Sequence, residues 1–182
     1  MKKFLLFAIV STLVAGTVQA QNEPEDKSQR PSPPATVSQT IAGGVSVKID
    51  YSQPAVKGRT IGKELAPYGQ VWRTGANEAT TFTVSAPVTV EGKTLPAGTY
   101  DLFTIPTDGD WTIILNSELT LPNGKPTWGA YTYHQDKDVL RVTVPSGKSS
   151  AFTEKMTFTI DKSGKVSLVW GDKKVDFQVA KG

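Results

Sequence analysis

The chain has 182 residues, with Lys+Arg 20, Asp+Glu 17, one His and no Cys. Without a leader of twenty residues, 182 − 20 = 162 residues remain, the size of one domain, and the charge balance falls to 18 − 17 = +1. That balance excludes a phosphate-neutralising nucleic-acid binder. The missing cysteine excludes disulfides, thiolate metal sites, a cysteine nucleophile and an acyl-cysteine anchor.

Residues 1–20 have the pattern of a secretory signal peptide. Lys2 and Lys3 supply the positive end, Phe4 to Val14 the apolar run, and Val18-Gln19-Ala20 the small residues before a cleavage point. The apolar run is too short for a bilayer span, which needs about 20 residues. No other apolar stretch reaches that length, so the mature chain is expected to have no membrane span and to reside in the periplasm or outside the cell. Residues 21–35, QNEPEDKSQRPSPPA, hold four prolines and hardly any large apolar group. They read as a flexible tether ahead of a single domain over 36–182.

From Thr36 onward the apolar period is two. Val45, Val47, Ile49 and Tyr51 take one face of a strand, with Ser46, Lys48, Asp50 and Ser52 on the other. The same alternation recurs at Thr80, Phe82 and Val84, and at Met156, Phe158 and Ile160. It returns at Val166, Leu168 and Trp170, and at Val175, Phe177 and Val179. The denser run Ile113-Ile114-Leu115 reads as a strand buried on both faces. Turns are expected at Gly43-Gly44, Glu91-Gly92, Asp108-Gly109, Ser163-Gly164 and Gly171-Asp172. From residue 21 on there are 20 Thr and 15 Val against 8 Leu and 11 Ala, a composition suited to pleated surfaces. No helical stripe is sustained; the best helical turn lies around Gly62–Ala66, limited by Pro67. Roughly ten short strands point to an all-β, antiparallel β-sandwich, with a β-barrel as the alternative.

Three stretches break the strand pattern, and functional sites are often where local regularity is given up. Gln53–Tyr68 is a long connection carrying Lys57, Arg59, Lys63 and Glu64. Val71–Phe82, VWRTGANEATTF, reads as strand, turn, strand, with Arg73 and Glu78 flanking one hairpin end. Lys125–Tyr133, KPTWGAYTY, gathers Trp128, Tyr131 and Tyr133, with the two tyrosines on one face at period two. Arg73 offers a planar fork of donors to a carboxylate or phosphate. It can pair with Glu78 to clamp the hairpin, or line a polar pocket with Asn77 and Glu78. The aromatics can pack as core and edge, or form a stacking platform. Trp72 and Trp111 sit inside strand-like runs and read as core.

Familiar chemistries lack their residues. His134 is the one histidine and lies in a charged loop without a triad or ligand set. Asp136 and Asp138 lack the other positions of a calcium loop, with Leu140 and Arg141 where an oxygen ligand and a glycine are needed. Gly147-Lys148-Ser149 has Val142 where a phosphate loop needs its first glycine. No catalytic residue, metal site or cofactor is implied.

At VWRTGANEATTF, LPAGTYDLFTIP (Leu95–Pro106) and WGAYTY (Trp128–Tyr133), the chain resembles the bacterial secreted domain family of unknown function number 2911. RPSPPATVSQTIAGGVSVKIDYSQPAVKGR (Arg30–Arg59) and DVLRVTV (Asp138–Val144) fit the same resemblance. It implies export by Gram-negative bacteria and an all-β domain, and supplies no accepted activity. Its motif positions here are Tyr51, Lys57, Gly58, Arg59, Trp72, Arg73, Gly75, Asn77, Glu78, Trp128 and Tyr131. Where the family often reads YSRP, this chain has Gln53. The expectation from the residues is an exported, non-catalytic binding domain for a small polar, anionic or saccharide ligand of the envelope. Its expected site is Arg59, Arg73, Asn77 and Glu78 as polar contacts, with Trp128 and Tyr131 as walls. The alternatives are a hydrolase using Glu78 as acid or base, a protein-interaction module binding through a strand edge, and a structural envelope protein.

Overall fold

The computed structural model describes residues 26–182; the expected leader and residues 21–25 lie outside the described residues. Nine strands follow in chain order: β1 Pro34–Thr40, β2 Ser46–Ser52, β3 Thr80–Val84, β4 Val88–Val90, β5 Lys93–Leu95, β6 Gly98–Ile105, β7 Asp110–Asn116, β8 Asp138–Ile160 and β9 Lys165–Lys181. All pairings are antiparallel, in the open order β1-β2-β3-β6-β7-β8-β9-β4-β5. The ladder folds over on itself as a sandwich and does not close into a barrel, because β1 and β5 remain as two edges.

Strands β8 and β9 make the fold-over. The first part of β8 pairs with β7 from Asp138 to Pro145, and the rest pairs with β9 from Ser146 to Ile160. Strand β9 then passes on to pair with β4 at Val179–Lys181. These two strands correct the expectation of uniformly short ones, since DVLRVTV and MTFTI lie on one strand, and KVSLVW and VDFQV on another. Gly171 therefore makes no turn. It sits inside β9 at φ +59, opposite Thr153 where the register shifts, and a Cβ there would come within 2.9 Å of Ile61 Cδ1. Glycine admits a bulge at that point, and the strand bends without ending.

The alternation read from sequence defines the core. Val47, Ile49, Phe82, Leu102 and Trp111 face inward from one layer, and Met156, Phe158, Leu168, Val175 and Phe177 from the other, all buried. Ring contacts cross the interior, with Tyr51 edge-on to Phe158 at 5.1 Å and Phe82 tilted against Phe177 at 6.2 Å.

The outer face of the β2-β3-β6-β7-β8 layer also carries buried groups. Asp50, Thr81, Asp101, Asn116 and Asp138 follow one another as cross-strand partners. Beside that row, Phe103 and Ile114 are paired and buried although they point away from the main core. The connection from Ser117 to Lys137 covers them. Tyr133 packs edge-on to Phe103 at 5.1 Å, Thr127 Oγ1 donates to Asp101, and Asn116 Nδ2 donates to the His134 carbonyl at 2.9 Å. Burial of Phe103 and Ile114, with satisfaction of the polar row, holds this long connection down.

The amino-terminal side is also drawn onto the domain. Of the expected tether, residues 26–33 run along the surface, and Pro34 and Ala35 already belong to β1. Lys27 and Arg30 contact Glu78 at 2.8 Å each, and the Gln53 N–H donates to the Pro33 carbonyl at 2.9 Å.

Candidate functional site

Two of the irregular stretches do not form what their spacing suggests. No hairpin forms over Val71–Phe82. Trp72 makes one isolated pair with Thr104 through two backbone hydrogen bonds, and β3 begins only at Thr80. Thr74 and Asn77 adopt φ +51 and +60, which a strand-turn-strand of this length does not accommodate. The loop is pinned from inside, where Thr74 Oγ1 donates to Thr104 Oγ1 and Thr80 Oγ1 donates to the Thr74 carbonyl. Likewise Gly129–Thr132 is a 3-10 turn, so period two does not apply there, and Tyr131 and Tyr133 part company. Tyr133 packs on Phe103, whereas Tyr131 is 85% exposed. Around Gly62–Ala66 the chain makes turns but no helix.

These loops surround an open hollow of about 410 Å³, near the lower end of the range of small-molecule sites. Arg59, Arg73, Asn77 and Trp128 all line it. Arg59 comes from the connection after β2, Arg73 and Asn77 from the loop before β3, and Trp128 from the connection that covers the outer face. The indoles of Trp72 and Trp170 complete its wall, stacked on each other at 5.3 Å and 11°.

The two guanidiniums are held by backbone carbonyls. Arg59 donates from Nε to the Val56 carbonyl at 3.2 Å and from Nη2 to the Ala55 carbonyl at 2.8 Å. Arg73 donates from Nη1 to the Asn77 carbonyl at 2.7 Å. Its carbon lies 5.8 Å from the Tyr131 ring, within cation–π reach. Among the described residues neither guanidinium pairs with a carboxylate. Each therefore keeps N–H donors without a partner while its plane is fixed. Glycine is required at 129, where φ is +67 and a Cβ would lie 2.7 Å from Arg73 Nε, so the arginine lies flat on the Gly129 backbone. The Trp170 side chain is 1% exposed and its indole N–H has no hydrogen-bond partner among the described residues. One carboxylate shares the wall. Glu64 accepts from the Thr60 N–H at 2.7 Å, which holds its carboxyl below the usual carboxylate range.

Three expected site residues need restatement. Glu78 does not pair with Arg73 and does not line this hollow. It faces a neighbouring recess of about 230 Å³ together with Lys27, Asp50 and Asp101. Partial burial raises its pKa, but hydrogen bonds from Lys27, its own N–H and Arg30 outweigh that and bring it down to about 2. Asn77 lies in the wall, yet its Nδ2 is committed to the Ser32 carbonyl at 3.0 Å and to Ser52 Oγ at 3.3 Å. It positions the arm and the loop. Tyr131 touches the site through Arg73 and is not a wall.

Trp72 and Trp170 were not legible as site residues. Trp170 occupies an alternating run and Trp72 a strand-like one, where a tryptophan reads as core, and Trp72 is only partly buried. In the 230 Å³ recess, Asp101 is 1% exposed; burial pushes its carboxyl up to about 6 against the opposing effect of the Thr127 hydrogen bond, with the charge of Glu118 adding to the rise. Among the described residues no group of three or more His, Cys, Asp or Glu side chains could hold a metal ion, and no helix is long and apolar enough to cross a membrane.

No curated protein and no solved structure matches the chain. A family model described as "Protein of unknown function (DUF2911)" matches residues 32–179, a span that takes in the sandwich up to Val179 and every residue of the hollow, and the chain belongs to that family.

Proposed function

We propose that this is an exported, non-catalytic binding domain of the bacterial envelope that holds a small anionic, ring-bearing ligand, with a saccharide as the best fit. The observation that carries this reading is the convergence of Arg59 and Arg73, neither paired with a carboxylate among the described residues, on one hollow walled by indoles. Arginine forks of fixed orientation match a carboxylate or phosphate in a bidentate manner. Indole faces suit the C–H faces of a sugar ring or an aromatic ring. Export rests on the pattern of the first twenty residues.

The hydrolase alternative loses its support at Glu78, which is ionised and held by two cations. Isothermal titration with galacturonate and galactose tests the binding reading. Galacturonate binds and galactose binds at least tenfold more weakly, and Arg73→Gln lowers galacturonate affinity by about 10- to 100-fold, the range of a lost charge-assisted hydrogen bond. Equal affinities for the two sugars would refute it. A second reading, pairing with a partner strand, is favoured by one observation: the open edge strand β1, PATVSQT, carries no charged side chain over its 7 residues. Placing a lysine at Ser38 would abolish such pairing while leaving ligand binding intact.

A further inference from the structure

The hollow does not end at Arg59. Arg59 also lines a second recess, of about 340 Å³. That recess holds Tyr68, Phe152 and Lys173. Phe152 is 64% exposed, an unusual state for a phenylalanine on a strand. It lies in β8 within the first of two register shifts, between Lys148 and Thr153, where the strand bulges away from regular pairing. Beside Arg59, Lys173 is a second cation of this recess, shared with Asp108 at 3.6 Å, and Asp172 adds a carboxylate to the lining. Two recesses thus adjoin at one arginine, and each offers aromatic surface, a cation and a carboxylate.

We infer that the ligand is a chain, an acidic oligosaccharide with at least two adjoining sugar units, crossing Arg59 from one recess to the other. This rests on the binding reading above and goes beyond it in ligand length. An aromatic face in each recess suits successive pyranose rings. Arg59 and Arg73 take carboxylates of the chain in the larger recess. Glu64 and Asp172 speak for a saccharide over a phosphodiester chain. Carboxylates in the wall need donors, which sugar hydroxyls supply and a phosphodiester linkage does not.

The test is titration calorimetry of the purified protein with galacturonate and its oligomers of two and four units, and with malto-oligosaccharides of the same lengths. The expected result is an affinity for the acidic tetramer at least tenfold above that for the monomer, with weak or no binding of the neutral series. Phe152→Ser, at an exposed position that the fold tolerates, removes the gain with length, and Arg73→Gln weakens every acidic length. If monomer and tetramer bind equally, or Phe152→Ser changes all lengths alike, the chain ligand is overturned while the anion-binding hollow stands. If no acidic sugar of any length binds, both fall. If neutral oligomers bind as well as acidic ones, the acidic character is overturned.

Discussion

Single side chains carry the sharpest consequences. Gly129 is where backbone conformation and recognition meet, since an alanine there must hold φ near +67 and push Arg73 aside. Gly129→Ala is expected to destabilise by about 1–2 kcal/mol through backbone strain. It should also lower ligand affinity as much as Arg73→Gln does, although residue 129 offers the ligand no side chain. Calorimetry of binding and a thermal melt separate the two effects. Asp101 is the other telling position. Its carboxyl is raised from 3.8 to about 6 by burial, so the folded state favours the protonated acid. Its contribution is complete below pH 4 and is lost as pH rises through 6. At about 1.4 kcal/mol per pH unit, the loss reaches about 3 kcal/mol at most. Asp101→Asn keeps an acceptor for Thr127 and carries no charge. Urea unfolding between pH 4 and 8 should show the wild-type protein losing stability across the pH 4–6 window and the variant losing less.

At the scale of elements, the arm before β1 is tied down at Glu78. Because the folded pKa of Glu78 is lowered to about 2, its contribution is present above pH 4.5 and disappears as pH falls through 2. Glu78→Gln should therefore speed proteolysis and amide exchange in residues 26–33, and leave the melting temperature of the core nearly unchanged, since such part-exposed pairs are worth little. Equal protection of the arm in both proteins would show that Pro33 and Ser32 hold it without the ion pairs. Strand identity was legible from period-two alternation, and the inward residues of β2, β3 and the ends of β8 and β9 match it position by position. What escaped reading were places where tertiary contacts override local signals. The loop at Thr74 and Asn77 is set by buried threonine hydroxyls from distant strands, and those bonds leave no local pattern. Gly171-Asp172 has turn chemistry, yet the contact of Ile61 with Gly171 turns it into a bulge. Arg59, Arg73 and Trp128 were legible as a group because each sits where regular alternation fails. Trp170 was not, because it sits where alternation holds.

For the whole molecule, burial alone must hold 157 described residues together, since no disulfide is possible. The inter-layer contacts are then decisive. Phe82→Ala removes a fully buried ring that meets Phe177 across the interior, and should cost about 3–5 kcal/mol in urea unfolding. A loss below 1 kcal/mol would mean that the two layers are held chiefly by their shared strands. Those shared strands have another consequence. Since β8 and β9 each run through the fold-over as one strand, a single ribbon joins Trp170 on β9 to the connection that carries Trp128 and leads into β8. On the side where these strands cross, the layers have no seam along which to gape, so under the proposed binding role the hollow would meet its guest as a stiff mould. Capture should accordingly follow a single exponential whose rate grows in proportion to guest concentration, without the plateau that a slow closing motion would impose.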